Sequence, residues 1–453
     1  MGYASGSIGV GLSRLARLNV SPDRRLTKQL TALGDSRVAI IYLDFGRRNR
    51  CARSPINWAN ALLGHNMTIG DTFGVSGDRT DQMLARLPAA IATGAGLLYV
   101  QGGINNIGQV ATGFAYNHAV TGETVTIDTV AAVTMRDLKL IADTAYAAGM
   151  TVVLENEVGG SSLTSGEKIA ALVQLRHLIA DYAERTPGIH VHDAYPVVMQ
   201  AGATTPTFRS GYSYDGIHMN ARGAYWHGKS LAALLARIVP PRPVLSSGVI
   251  DTPANGRRQI LTNHLFTTTT GGTAGNGVTG DAPSGWTAAM SSGGGSASLS
   301  NVANPDGIGN GVQAAISFGG AGHFRLEQTL PGTVGGQYHA SLRPGDELEG
   351  FALVELVAAP ASLQSITLEL AGASMGSNGT AFGSQDMSNP GGANDQGIND
   401  PALMTLRTRP AIVPASSGPY PYLIATLRVS ALAAGNATVI VRQMGLRRRV
   451  TAA

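Results

Sequence analysis

Apolar and polar positions follow two different grammars along this chain. Between residues 26 and about 238, short apolar runs alternate with longer segments of helical period. Leu97-Leu98-Tyr99-Val100, Thr151-Val152-Val153-Leu154 and Ile189-His190-Val191 read as buried strands of the parallel type, because no polar face interrupts them. Residues 129–148, 166–184 and 221–238 repeat apolar residues at helix spacing. Asp128 and Asn220 stand where N-caps are expected, Thr164 with Glu167 fits a capping box, and Gly149 suits the position just past a helix end. Strand and helix alternating in this way predict a parallel sheet covered by helices on both faces.

The pattern changes at Val239-Pro240-Pro241-Arg242-Pro243, which cannot continue a helix. Beyond it, segments such as 324–330, 348–357, 363–370 and 422–429 are separated by clusters of Gly, Thr, Ser and Asn. Many short strands with glycine-rich turns predict a jelly-roll-like all-β sandwich. The expected organisation is an N-terminal extension (1–25), an α/β domain (26–238), a linker (239–256) and a β-sandwich (257–453), the last suited to carbohydrate binding or assembly.

Composition narrows the function. Charged residues are 14% of 453 and the formal net charge is +4, well under the usual charged share of about 25%. No basic block suggests a nucleic-acid partner, and no apolar run reaches the ~18 residues of a membrane-spanning helix. Cys51 is the single cysteine, which excludes an intrachain disulfide and a cysteine metal cluster. Residues 1–20 lack the apolar run of a signal peptide. A chain cytoplasmic when made, then released or built into a virion, is the expectation, and its Lys-poor, Gly- and Thr-rich character resembles virion tail components.

Four segments of the first half fit one chemistry. Leu33-Gly34-Asp35-Ser36 follows an apolar run, and Gly74-Val75-Ser76-Gly77-Asp78 follows another; Gln101-Gly102-Gly103-Ile104-Asn105-Asn106 ends a third, and Asp215-Gly216-Ile217-His218 precedes the last helix. Open α/β sheets bind ligands at the carboxyl ends of their strands. A serine hydroxyl becomes a nucleophile when a histidine takes its proton, and an aspartate three residues before that histidine can hold its tautomer. The N–H groups of Ser36 and Gly77 and the amide of Asn105 are candidate donors to a developing oxyanion.

Taken in order, these blocks resemble the SGNH (GDSL-type) hydrolases, whose signature is a GDS serine, a lone glycine, a GxND-type asparagine and a DxxH pair. The resemblance covers residues 33–218. It implies a flavodoxin-like three-layer α/β fold and ester hydrolysis through an acyl-enzyme. Ser36 is then the nucleophile, Asp215 and His218 complete the triad, and Ser36, Gly77 and Asn105 form the oxyanion hole. The family often has Asp after the block-three asparagine, where this chain has Asn106.

The remaining candidates read more plainly. Glu155 and Glu157 suggest a solvated loop rather than a glycosidase pair. His190 and His192 share a strand face without a third ligand nearby in sequence, so neither metal nor cofactor is expected. Gly392-Ala393-Asn394-Asp395 spells GxND but reads as a turn, and Arg447-Arg448-Arg449 as a solvated tail. The segments 37–57, with Arg47, Arg48, Arg50 and Arg53, and 107–127 should border the pocket; the arginines read as a solvated face before an anion site. Trp286, Tyr338, Tyr420 and Tyr422 are candidates for stacking on sugar or for core.

The expected function is removal of small acyl groups, acetyl above all, from an acylated small molecule or polysaccharide. A homo-oligomer is compatible with it. Two alternatives are a non-catalytic glycan-binding or structural tail protein and an acyltransferase using the same triad.

Overall fold

The computed structural model describes residues 28–43, 49–111, 113–239, 259–291, 293–331, 345–373, 380–392, 395–413 and 422–449. The N-terminal extension, Arg47, Arg48, most of the linker, Tyr338, Tyr420 and the side chain of Tyr422 lie outside the described residues.

The first half is built on five parallel strands: β1 (Gln29–Gly34), β3 (Thr68–Gly74), β4 (Leu97–Gln101), β5 (Thr151–Glu155) and β6 (Ile189–His192). Their order is β3-β1-β4-β5-β6, the flavodoxin-like arrangement. Gly34 pairs with Gly74 on one side and Gln101 on the other, so three strands finish level at one rim. Helices α3 (Thr80–Ala92), α5 (Val130–Ala147) and α6 (Gly166–Arg185) cover one face, burying Met83, Leu138 and Leu175 against Val100 and Leu154. On the other face α2 (Pro55–Leu62) and α7 (Ala221–Ile238) bury Ile56, Ala59, Leu231 and Leu235. The result is three layers.

The strand and helix periods place these elements well, and the caps slip by one residue. Asn220 caps α7 through a bond from Gly223 N, as its position suggested. Ser165, not Thr164, caps α6, accepting from Lys168 N, and α5 starts after Thr129 rather than Asp128.

The second half is a sandwich of two mixed sheets. Strands β8 (Gly295–Ala303), β9 (Asn310–Phe318), β11 (Glu347–Ala358), β14 (Ala402–Arg407) and β16 (Gly435–Arg449) form one; β7 (Thr287–Met290), β10 (Gly322–Pro331), β12 (Leu363–Ala373), β13 (Thr380–Ser388) and β15 (Tyr422–Ala431) form the other. Alternating inward residues such as Ala314 and Ile316 of β9 and Leu326 of β10 make the core. Trp286 is 1% exposed and packs on Phe266, so it is core and not a sugar platform. Arg447 and Arg448 belong to β16 and pair with Glu349 and Asp346; they are not a solvated tail.

The halves interlock. Strand β2 (Asn49–Cys51), from the segment after β1, pairs in parallel with β13 and so joins a sandwich sheet. One apolar cluster runs from Trp58 of α2 and Tyr225 of α7 to Leu363 and Leu368 of β12. Arg222 of α7 donates to the carbonyls of Gly397 and Ala361 at 3.1 and 2.8 Å. Arg50 is buried beside Asp386 of β13, which also meets His65 at 3.0 Å. Arg50 is therefore an internal ion-pair member rather than part of a solvated face or an anion site.

Candidate active site

The site grows from the chain reversal at the end of β1. Gly34 is required there by space: a Cβ would lie 2.3 Å from the Gln101 carbonyl oxygen and 2.4 Å from Val38 Cγ2. Asp35 then caps the short helix α1 (Ser36–Ala39), its Oδ1 accepting from Arg37 N at 2.9 Å. Ser36 is thereby set at the first turn of α1, above the rim.

His218 and Asp215 reach the same rim from the loop before α7. Ser213 Oγ donates to the His218 carbonyl and accepts from Gly216 N, which ties this loop into a compact turn. Ser36 Oγ lies 2.8 Å from His218 Nε2, and His218 Nδ1 lies 2.7 Å from Asp215 Oδ2. Asp215 Oδ1 accepts from the N–H groups of Ile217 and His218 at 2.9 and 2.7 Å. Burial would raise the Asp215 carboxyl, but these bonds from the His218 ring and the two backbone groups hold it below the ordinary range. With its proton on Nδ1, the imidazole donates to the carboxylate and accepts from the serine hydroxyl, the order a base needs.

Gly77 and Asn105 sit on neighbouring loops of the rim. Gly77 has φ +84°, a conformation that favours glycine, and its carbonyl accepts from Gln109 Nε2 at 2.8 Å. Asn105 is the second residue of the short helix α4 (Ile104–Gly108), and its Nδ2 donates to the Asp78 carbonyl at 2.9 Å, leaving one amide hydrogen uncommitted to that bond. Asn106 takes over local support: its Oδ1 accepts from Thr80 N, and its Nδ2 donates to Thr80 Oγ1 and Tyr116 Oη, each at 3.0 Å. The 107–127 connection, through Tyr116, thus braces the loop that carries Asn105.

Beneath the serine lies a buried ionic cluster. Arg37 Nη1 meets Glu157 Oε1 at 2.5 Å, and its Nη2 donates to the carbonyls of Gly159 and Ile217 at 2.5 and 3.1 Å. Glu157 also accepts from the N–H groups of Ile104 and Gly159. Glu157 is 1% exposed, so it is not part of a solvated loop. With Arg37, which reaches the Ile217 carbonyl, it links the serine, asparagine and histidine blocks. Asp35, fully buried, keeps Oδ2 without a partner. Burial drives its carboxyl from an ordinary 3.8 up to about 6; Arg37 works against the rise and Glu157 adds to it.

A second buried cluster lies at the ends of β5 and β6. Glu155 Oε2 meets His192 Nδ1 at 2.9 Å, Tyr99 Oη at 3.0 Å and His227 Nε2 at 3.2 Å. The donor atoms of Glu155, His192 and His227 all lie within 4.8 Å of one another. The sequence paired His192 with His190 and offered no third ligand; the structure instead brings His192 to Glu155 and to His227 of α7. Burial would raise Glu155, yet the two imidazoles hold it far below the carboxylate range, and Glu155 in turn lifts His192 against its own burial. A cation would find suitable atoms here, but the carboxylate already accepts from His192 and Tyr99. The set accounts for itself as buried charge compensation.

Comparison with known proteins covers the same stretch of the chain. Residues 32–226 match the family model described as GDSL-like Lipase/Acylhydrolase. This part of the chain is a GDSL-like lipase/acylhydrolase domain. Among curated proteins none matches the sequence. Among solved structures, a GDSL-like lipase from Bacteroides thetaiotaomicron is similar over 50% of this chain and 94% of its own, with 15% identity and a TM-score of 0.32. A Geobacillus acetyl-xylooligosaccharide esterase is similar over 48% of this chain and 97% of its own, with 16% identity and a TM-score of 0.35. A structure of carbohydrate-binding modules of the β-sandwich superfamily is similar over 36% of this chain and 56% of its own, with 15% identity and a TM-score of 0.25. Among the described residues, no helix is long and apolar enough to cross a membrane.

Proposed function

We propose that this chain is a serine esterase that removes small acyl groups, acetyl in particular, from a carbohydrate. The observation that carries the reading is the hydrogen-bonded line Ser36–His218–Asp215, at 2.8 and 2.7 Å. In the proposed mechanism His218 takes the Ser36 proton as Oγ attacks the ester carbonyl. Asp215 stabilises the imidazolium that forms. The N–H groups of Ser36 and Gly77 and the free amide hydrogen of Asn105 receive the oxyanion, each such donor being worth about 3–4 kcal/mol in the transition state. His218 then protonates the departing alcohol, and water, activated by the same imidazole, releases the acid.

Two features support a small acyl group on a polar carrier. The His218 and Asp215 side chains are 24% and 38% exposed, so a bulky substrate can approach the rim. Tyr214 and Arg53 stand beside His218, and Val75, two residues before Gly77, is an exposed apolar residue. A long lipid chain would call for an enclosed apolar channel. The attached all-β sandwich favours a polymeric carrier.

The test compares Ser36→Ala with the unaltered protein on 4-nitrophenyl acetate and on a panel of acetylated polysaccharides, reading acetate. Loss of the nucleophile lowers kcat by several orders of magnitude. Retained turnover in Ser36→Ala overturns the esterase reading, and turnover of the small ester with no acetate from any glycan overturns the carbohydrate half. An alcohol acceptor in the assay separates hydrolysis from acyl transfer.

A further inference from the structure

Asp395, the last residue of the GxND-like segment, pairs with Arg53 of the hydrolase half. The Asp395 N–H donates to the Gly392 carbonyl at 3.0 Å, and Ala393 and Asn394 lie outside the described residues. Asp395 is 1% exposed and takes Arg53 with both carboxylate oxygens: Nε lies 3.1 Å from Oδ1 and Nη2 lies 2.8 Å from Oδ2. Arg53 Nη2 also donates to the Gly391 carbonyl at 3.2 Å. A bidentate pair of this kind fixes the plane of the guanidinium.

That fixed guanidinium lies over the ring of Tyr214, its Cζ 4.1 Å from the ring centroid. The Tyr214 ring in turn runs nearly parallel to the His218 imidazole, with centroids 5.8 Å apart and 14° between the planes. Arg53 lies two residues beyond β2, the strand that enters the sandwich sheet, and the intervening Ala52 N donates to the Ser388 carbonyl at 2.9 Å. Arg53 is therefore anchored in the second half of the chain, and Tyr214 meets that half through Arg53.

We infer that Asp395, Arg53 and Tyr214 are positioning residues for His218, so that the β-sandwich is a working part of the hydrolytic site. The inference rests on the esterase reading for its effect on rate. Chemically, the imidazole must hold one orientation while it accepts a proton from Ser36 and returns it to the leaving alcohol. The Asp215 bond fixes one edge of the ring, and the aromatic stack restrains its plane. Arg53 holds the tyrosine there, and Asp395 neutralises the arginine so that no uncompensated cation faces the imidazolium. The same pairing explains why Arg53 is not free to recruit an anionic substrate.

The experiment uses the full chain and measures kcat and KM on 4-nitrophenyl acetate for Asp395→Asn, Arg53→Gln, Tyr214→Leu and the double variant Asp395→Asn/Tyr214→Leu. Small displacements of a catalytic group cost up to about a hundredfold; each single variant is expected to lower kcat about tenfold or more, with KM nearly unchanged. Tyr214→Phe, which keeps the ring, recovers most of the loss. The double variant falls little further than the worse single one, because both act through one chain of contacts. Losses that multiply, a change confined to KM, or an unchanged kcat in folded Asp395→Asn overturn the inference. A second readout is independent of turnover: the ¹³Cε1 resonance of His218 in histidine-labelled protein, assigned through His218→Gln. It should move in both Asp395→Asn and Tyr214→Leu, and a resonance that ignores Asp395→Asn overturns the clamp even if Ser36→Ala has already removed the esterase reading.

Discussion

Replacing Asp35 by Asn should stabilise the protein at neutral pH and do almost nothing in acid. The carboxyl beside the nucleophile is fully buried, keeps one oxygen without a partner, and titrates near 6 instead of 3.8. Below about pH 3.8 both the native and the unfolded chain hold the proton, and the group costs nothing. As pH rises the unfolded chain ionises first, so native stability falls, and the loss is complete above about pH 6. The gap between 3.8 and about 6 corresponds to about 3 kcal/mol. Asn caps a helix as well as Asp, so the bond to Arg37 N survives and the substitution isolates the charge. Urea unfolding of both proteins at pH 4 and pH 8 is the assay. The variant should exceed the parent by about 3 kcal/mol at pH 8 and by less than about 1 kcal/mol at pH 4. A gap of equal size at both pH values, or a variant weaker than its parent at pH 8, refutes the reasoning.

Arg37→Met leaves the Glu157 and Asp35 carboxylates buried without their cation and should cost about 3–5 kcal/mol; denaturant unfolding at pH 8 measures it, and a loss under about 1 kcal/mol speaks against the cluster as drawn. Gly34→Ala forces a Cβ to within 2.3 Å of the Gln101 carbonyl. It should destabilise by about 1–3 kcal/mol and lower kcat on 4-nitrophenyl acetate through displacement of Ser36; full activity with full stability would show that β1 and β4 can separate freely at the rim.

Much of the hydrolase half was legible because its information is local. A strand-end serine after glycine, an asparagine at the next strand end and an Asp-x-x-His pair each declare themselves within a few residues. The helix periods were equally plain, while the caps of α5 and α6 slipped by a residue because neighbouring Asp128 and Thr129, or Thr164 and Ser165, offer similar side chains and only the backbone chooses between them. What stayed hidden were the long-range partnerships that support the triad from outside its own motifs. Arg37 adjoins Ser36, but nothing near it announces Glu157, whose surroundings read as loop. Tyr214 stands one residue before Asp215 and carried the one local signal that could have been used, an aromatic beside the histidine motif. Arg53 and Asp395 belong to halves with different grammar, so neither pattern implied the pair. Composition likewise placed the arginines of the insert at the surface, whereas Arg50 is neutralised inside by Asp386 and Arg53 by Asp395.

Strand β2 bears on how such a chain could be recombined. Its three residues are encoded between the nucleophile and α2, yet they complete a sheet whose other members come from beyond residue 272. Cutting at the proline-rich junction would strip that sheet of an edge and leave Trp58 and Tyr225 facing water. Exchange of the accessory half for another would therefore need a matching replacement of residues 49–53, and the two parts behave as a single heritable unit rather than as cassettes on a string.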